Sequence, residues 1–174
     1  LLSPLILATA LFIFITSGGP IMYRQVRAGE NNKDFVLNKF RTMYLNAEDD
    51  GIKRTIENDN RILPFGNILR NFRLDELPQF WNVFKGEMSF IGPRPERPEF
   101  INELSKEIPY YNLRHTVKPG ITGWAQVMTR YGDSTKDAFE KLQYDLYYIK
   151  NYSLILDISI MIKSVKVILF GTGR

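Results

Sequence analysis

The hydrophobic pattern divides the chain into an apolar front, a polar and turn-rich middle, and an apolar helical end. Residues 1–15, LLSPLILATALFIFI, carry no charge, and the first charged residue is Arg24. The run is apolar on every side, whereas a helix packed on a soluble core keeps a polar stripe. At the helical rise its length is roughly 22 Å, short of the roughly 30 Å hydrocarbon layer. Pro4 breaks or kinks a helix near its start. Ser3-Pro4 therefore predicts an apolar helix that bends back out of a membrane rather than crossing it. A signal peptide fits poorly, because no basic segment precedes the run and no clear small-residue cleavage site follows.

Beyond Gly18-Gly19-Pro20, the segments Ile21–Val26 and Asp34–Phe40 are rich in β-branched and aromatic residues and flank Gly29-Glu30-Asn31-Asn32. They predict a β-hairpin. Asn46–Asn60 is polar and reads as a surface loop or short helix. Ile62–Phe72 predicts a helix, and Pro78 starts a second one that runs to Phe84. Three prolines in Gly92–Pro98 predict a stiff extended segment. Phe100, Ile101, Leu104 and Ile108 form one helical stripe, and Phe139, Leu142, Leu146 and Ile149 another, with Asp133-Ser134-Thr135 as its N-cap region. Lys118–Gly123 reads as turns. In the last helix, Ser153–Phe170, eight apolar residues from Leu154 to Leu169 share a broad face, with Lys163 and Lys166 off it. That face either closes the core or lies at a lipid interface.

Composition narrows the chemistry. The 174 residues contain no cysteine and one histidine, His115, which excludes disulfides, thiolate zinc sites, a cysteine nucleophile and any site with two imidazoles. His115, beside Arg114, is read as a structural histidine, with a phosphate contact as the alternative. Twenty-three basic against 19 acidic residues give a net charge of +4. This suits phosphates, an anionic membrane surface or nucleic acid without choosing between them. The basic residues are scattered and the aromatics sit on core stripes, which argues against nucleic acid. Dinucleotide, P-loop, nucleophile-elbow and kinase motifs are absent.

The most reactive-looking stretch is Arg70-Asn71-Phe72-Arg73-Leu74-Asp75-Glu76-Leu77-Pro78-Gln79. Pro78 belongs in a helix's first turn, which makes Asp75 the expected N-cap with Glu76 just inside. The plain alternative is capping, with Arg73 and Glu76 as an ion pair. The chemical reading divides labour between the carboxylates: one attacks phosphorus, the other holds a hard cation or moves a proton. Arg70 and Arg73 would neutralise phosphoryl oxygens, and Arg94, between two prolines, has the restricted backbone a phosphate clamp needs. Lys39 and Arg41 would share one face of a strand, opposite Phe40.

The runs Lys39–Met43, Leu74–Gln79, Gly92–Glu96, Lys118–Trp124 and Tyr144–Ile149 occur in this order across nearly the whole chain. Together they strongly resemble the bacterial sugar transferases, the polyprenyl-phosphate glycosyl-1-phosphate transferases. The ending Val167–Gly173 looks like that of the long exopolysaccharide-priming members. The resemblance implies an α/β protein of the α+β type: an irregular, helix-rich cytosolic domain with a short hairpin, a truncated re-entrant membrane helix and amphipathic interfacial helices. Residues 1–17 would be the membrane remnant and 18–174 the catalytic domain. The family's basic N-terminal residues and the first half of its re-entrant helix have no counterpart here. It further implies transfer of a sugar-1-phosphate from a UDP-sugar to polyprenyl phosphate, with Mg²⁺, at the cytoplasmic face of the bacterial inner membrane. A homodimer is left open. The family's nucleophile maps onto Asp75 and its metal-binding carboxylate onto Glu76, with Asp75 also near the metal. Arg70 and Arg94 map onto phosphate-binding positions, with Lys39, Arg41 and Arg114 as further substrate contacts. The helix-breaking Ser-Pro maps onto Ser3 and Pro4.

Overall fold

The computed structural model describes residues 3–56, 59–129, 132 and 134–170. It opens with helix α1, Ser3–Ser17. Pro4 sits in its first turn, so the arm preceding the expected bend lies outside the described residues. Thr9 and Ile13 face inward and are buried, and Leu7, Leu11, Phe14 and Ile15 are exposed. Ile13 packs with Phe40 and Leu69, which seats α1 on the elements that follow. Arg41 caps the end of α1. Its Nη2 donates to the Ser17 carbonyl (2.9 Å), the Ser17 hydroxyl (2.7 Å) and the Gly18 carbonyl (2.9 Å), and its Nη1 to the Gly19 carbonyl (3.1 Å). These satisfy carbonyls that a helix C-terminus leaves without partners.

The predicted hairpin is present, with strand β1 running further than expected, Met22–Ala28, antiparallel to β2, Asp34–Phe40. Asn31 and Asn32 make the reversal in left-handed conformation (φ 55° and 57°), which asparagine tolerates. Phe35 and Leu37 are buried on one face against Met88. Phe40, of opposite parity, joins the cluster under α1.

Several helical expectations need correction. The helix expected over 62–72 is only α2, Gly66–Asn71, because Ile62 is used in a β-bridge to Met43. Asp75 does not cap the helix that follows Pro78. Arg73 turns into left-handed conformation (φ 57°), Leu74–Glu76 form a 3-10 turn of their own, and α3 begins only at Gln79, spanning Gln79–Phe84. The turn-rich segment 118–123 supplies a strand, β4, Gly120–Thr122, parallel to β3, Ser89–Ile91. The glycines there permit close backbone approach: a Cβ on Gly120 or Gly123 would collide with the backbone of Gly92.

Helix α4, Pro98–Glu107, buries Ile101 and Leu104, joined by Ile108, Tyr111 and Leu142 in one cluster. After a 3-10 turn at Tyr111–His115 and short helix α5, Trp124–Met128, comes α6, Thr135–Lys150. Ser134 and Asp137 cap α6 reciprocally; Asp133 lies outside the described residues. Its inward stripe holds Leu142, Asp145, Leu146 and Tyr148, while Phe139 is exposed, contrary to expectation.

Helix α7, Leu154–Leu169, docks on a narrow strip. Ile160 is fully buried, Ser164 shares a hydrogen bond with Thr122 (2.7 Å), and the Tyr148 hydroxyl donates to Asp157 (2.9 Å). The eight-residue apolar face is 40–81% exposed at every position, so it does not close the core. Among the described residues no helix is long and apolar enough to cross a membrane. The described residues form a mixed fold of helices and two small two-stranded sheets.

Candidate active site

The 3-10 turn Leu74–Glu76 lies under the end of the hairpin, beside a cavity of about 500 Å³ whose lining includes twelve Lys or Arg and five Asp or Glu residues. Asp75 and Glu76 are each 5% exposed. One oxygen of Glu76, Oε1, accepts from three cations: Arg94 Nη2 at 2.7 Å, Lys39 Nζ at 3.1 Å and Arg73 Nη1 at 3.4 Å. Glu76 Oε2 and Asp75 Oδ1 are buried with no hydrogen-bond partner.

The two neighbours are pushed in opposite directions. Burial, and then the adjacent Glu76 carboxylate, raise the Asp75 pKa; Lys39, Arg70 and Arg94 pull it back only in part. Burial acts on Glu76 in the same sense, but Arg94, Lys39 and Arg73 overcome it and hold this carboxyl well below the usual range. Lys39 is itself lowered to about 8 by desolvation, against the pull of Glu76. Adjacent carboxyls with opposite shifts are a recurring arrangement where one group reacts and the other remains a fixed anion.

The segment carrying Arg94 is fastened at four successive carbonyls. Pro93 O accepts from Gly120 N (2.9 Å), Arg94 O from Arg114 Nη2 (3.0 Å), Pro95 O from Arg27 Nη1 (3.0 Å) and Glu96 O from Ala28 N (3.0 Å). Arg114 is buried and bridges three elements. Its Nε and Nη2 reach Asp145 Oδ2 at 3.1 and 2.9 Å, and its Nη1 donates to the Tyr111 hydroxyl at 2.7 Å. Burial of Arg114 is outweighed by Tyr111 and Asp145, which raise its pKa.

The structure thus brings Lys39, Asp75, Glu76 and Arg94 together, with Arg70 on the same cavity wall, its Nε donating to Thr42 Oγ1 (3.1 Å). Arg41 and Arg114 also line the cavity, but Arg41 donates to the end of α1, and Arg114 to Asp145, Tyr111 and the Arg94 carbonyl. Lys39 and Arg41 do not share a strand face, because β2 ends at Phe40. Arg27 and Asp145 were not picked out from the sequence. Asp145 left a signal, an acid on the inward stripe of Leu142 and Leu146. Arg27 left none, since its contacts with the Arg94 segment, to Pro95 and Glu96, are 68 and 69 residues away.

Among the described residues there is no group of three or more His, Cys, Asp or Glu able to hold a metal ion. Mg²⁺ nevertheless needs only one or two carboxylates when substrate phosphates complete its shell. The two unpartnered oxygens of Asp75 and Glu76 are hard donors of the kind it takes.

His115 is buried edge-on to Tyr111, and neither ring nitrogen has a hydrogen-bond partner. Desolvation, and then Arg114, lower its pKa to about 4. The unfolded chain takes up a proton near 6.5, the folded one only near 4, so stability is lost as pH falls across that window. His115→Leu is expected to flatten the decline of Tm between about pH 6.5 and 4. Parallel curves for wild type and variant would refute the assignment.

The family model described as bacterial sugar transferase matches residues 1–171. The chain is 49% identical over 173 residues to a UDP-N-acetylgalactosamine-undecaprenyl-phosphate N-acetylgalactosaminephosphotransferase of Aeromonas hydrophila, covering 99% of this chain and 41% of that protein. It is 44% identical over 163 residues to a UDP-glucose:undecaprenyl-phosphate glucose-1-phosphate transferase of Xanthomonas campestris pv. campestris, covering 91% and 34%. An exopolysaccharide production protein of Rhizobium leguminosarum bv. phaseoli is 38% identical over 173 residues, with 94% and 85% covered. The chain thus spans about two fifths or less of the first two relatives. The residues matched by the family model include the dyad, the Pro-Arg-Pro segment and the hairpin, and the chain belongs to the bacterial sugar transferase family.

Proposed function

We propose that this chain transfers a sugar-1-phosphate from a UDP-sugar to polyprenyl phosphate, priming glycan or exopolysaccharide assembly. The observation that carries the reading is the Asp75–Glu76 pair. A buried carboxyl with a raised pKa stands beside one neutralised by three cations, at a strongly basic cavity. The names of the relatives supply the substrate class.

In the proposed reaction a carboxylate oxygen of Asp75 attacks the sugar-side phosphorus of the donor. The bond to the bridging oxygen breaks, and UMP departs with the electron pair. An oxygen of polyprenyl phosphate then attacks the same phosphorus, the bond to Asp75 breaks, and the carboxylate returns. Desolvation that raises the Asp75 pKa also makes its ionised form a stronger nucleophile. Arg70, Arg73 and Arg94 would stabilise phosphoryl charge at the cavity wall. Glu76 and Asp75 would hold Mg²⁺, which supplies further neutralisation of the diphosphate. The exposed apolar faces of α1 and α7 suit a seat on the cytoplasmic face of the inner membrane, where a polyprenyl acceptor is found. The helix break expected at Ser3-Pro4 would lie at the start of α1.

The test is product release in detergent, with Mg²⁺, polyprenyl phosphate and a panel of UDP-sugars that includes UDP-N-acetylgalactosamine and UDP-glucose. Lipid-dependent release of UMP is expected. Release of UDP would mean ordinary glycosyl transfer and would overturn the reading.

A further inference from the structure

Arg114 has the composition and position of a phosphate ligand, but its geometry points elsewhere. Its Nε, Nη1 and Nη2 all engage protein groups: the Asp145 carboxylate, the Tyr111 hydroxyl and the main-chain carbonyl of Arg94. It is buried at 7% exposure. The residue whose carbonyl it holds gives Glu76 its shortest ionic contact, 2.7 Å. A short path therefore runs from Asp145 on α6, through Arg114, across the Arg94 backbone, to the dyad.

The rest of the segment explains why this contact matters. Pro93 and Pro95 fix φ on either side of Arg94 and contribute no N–H. The Arg94 segment is therefore held through its carbonyls, by donors from β1, β4 and the 3-10 turn Tyr111–His115. Arg114 supplies the side-chain donor to the Arg94 carbonyl itself. A guanidinium that must lie within hydrogen-bond distance of one carboxylate oxygen tolerates little drift at its root, and a misplacement of about 1 Å in a positioned site costs about 100-fold in rate.

We infer that Arg114, oriented by Asp145 and Tyr111, is a positioning residue that sets the Arg94 guanidinium on Glu76, and that it does not bind substrate phosphate. It acts on the reaction through Arg94 alone.

The test removes the clamp without stranding a charge. The double variant Arg114→Met/Asp145→Leu replaces a buried ion pair by apolar side chains of similar size, an exchange that leaves many proteins folded. Its crystal structure should show the Arg94 guanidinium withdrawn from Glu76; retention of the 2.7 Å contact overturns the inference. This arm needs no activity. The kinetic arm rests on the transferase reading and uses a cycle with Arg94→Gln. With Arg94 intact, the double variant should lower kcat about 100-fold. Combined with Arg94→Gln, it should cost less than about 3-fold more, since coupled residues are not additive. Full additivity would mean that Arg114 meets substrate directly, or supports the fold generally, and would overturn the inference. Arg114→Lys keeps the charge and a single donor nitrogen without the planar fork, and should recover part of the loss; a merely volumetric role predicts no such rescue. Should the double variant not fold, Tyr111→Phe removes one orienting bond from Arg114 and is run through the same cycle, with a smaller, equally non-additive loss expected. Wild-type protein that is silent with every donor counts against the transferase reading, while the crystallographic arm still decides this one.

Discussion

Asp75→Asn is expected to reduce transfer by at least about 10⁴-fold, the scale seen when a triad carboxylate is lost, while the folded protein becomes no less stable. The two halves of that outcome have one cause. Asp75 is buried, one of its oxygens has no hydrogen-bond partner, and burial raises its pKa. Keeping a charge there is unfavourable to the fold, and an isosteric neutral amide relieves the cost. The amide cannot supply the carboxylate oxygen that attacks phosphorus. Activity lost with Tm unchanged or raised is the signature of a site that holds a group for chemistry against stability. Near-normal turnover would remove Asp75 from the mechanism, and a large fall in Tm would make its role structural.

Asp145→Ala is expected to destabilise the chain by about 3–5 kcal/mol, because it leaves a buried guanidinium without its counter-ion. Arg114 is always charged and cannot escape by losing a proton. Its other acceptors, the Tyr111 hydroxyl and the Arg94 carbonyl, are neutral. Arg114→Met/Asp145→Leu, which removes both charges, should lie within about 1.5 kcal/mol of wild type. Urea titration of the three proteins measures this directly. A single variant as stable as the double would show that water or another carboxylate replaces Asp145.

Much of this arrangement is legible in the sequence. The hairpin follows from β-branched alternation around Gly29–Asn32, and α4 and α6 from their apolar stripes. The adjacent carboxylates and the proline-flanked arginine were also visible, since a short motif carries its chemistry in its own residue types. The less legible features depend on distance in sequence. Asp75 was expected to cap a helix, but a left-handed Arg73 interposes a separate 3-10 turn, and nothing in the residue type of arginine announces that conformation. The parallel pairing of 89–91 with 120–122 was hidden because glycines selected for close packing look the same as glycines selected for turns. Lys39, Arg41 and Arg114 were equally plausible phosphate contacts by charge. Only the fold separates them: Lys39 meets Glu76, Arg41 meets the end of α1, and Arg114 meets the backbone of Arg94. Periodicity in α7 identified the apolar face correctly, yet could not say that it stays uncovered, because core and lipid demand the same stripe.

The most direct test of the central claim is isotope exchange without acceptor. Labelled UMP is incubated with the protein in detergent, Mg²⁺ and whichever UDP-sugar supports UMP release, with polyprenyl phosphate left out. A double displacement through Asp75 predicts that label enters the UDP-sugar, and that Asp75→Asn abolishes this exchange. Exchange that occurs only when polyprenyl phosphate is present would contradict the account, because direct transfer in a ternary complex cannot return UMP to the donor without the lipid.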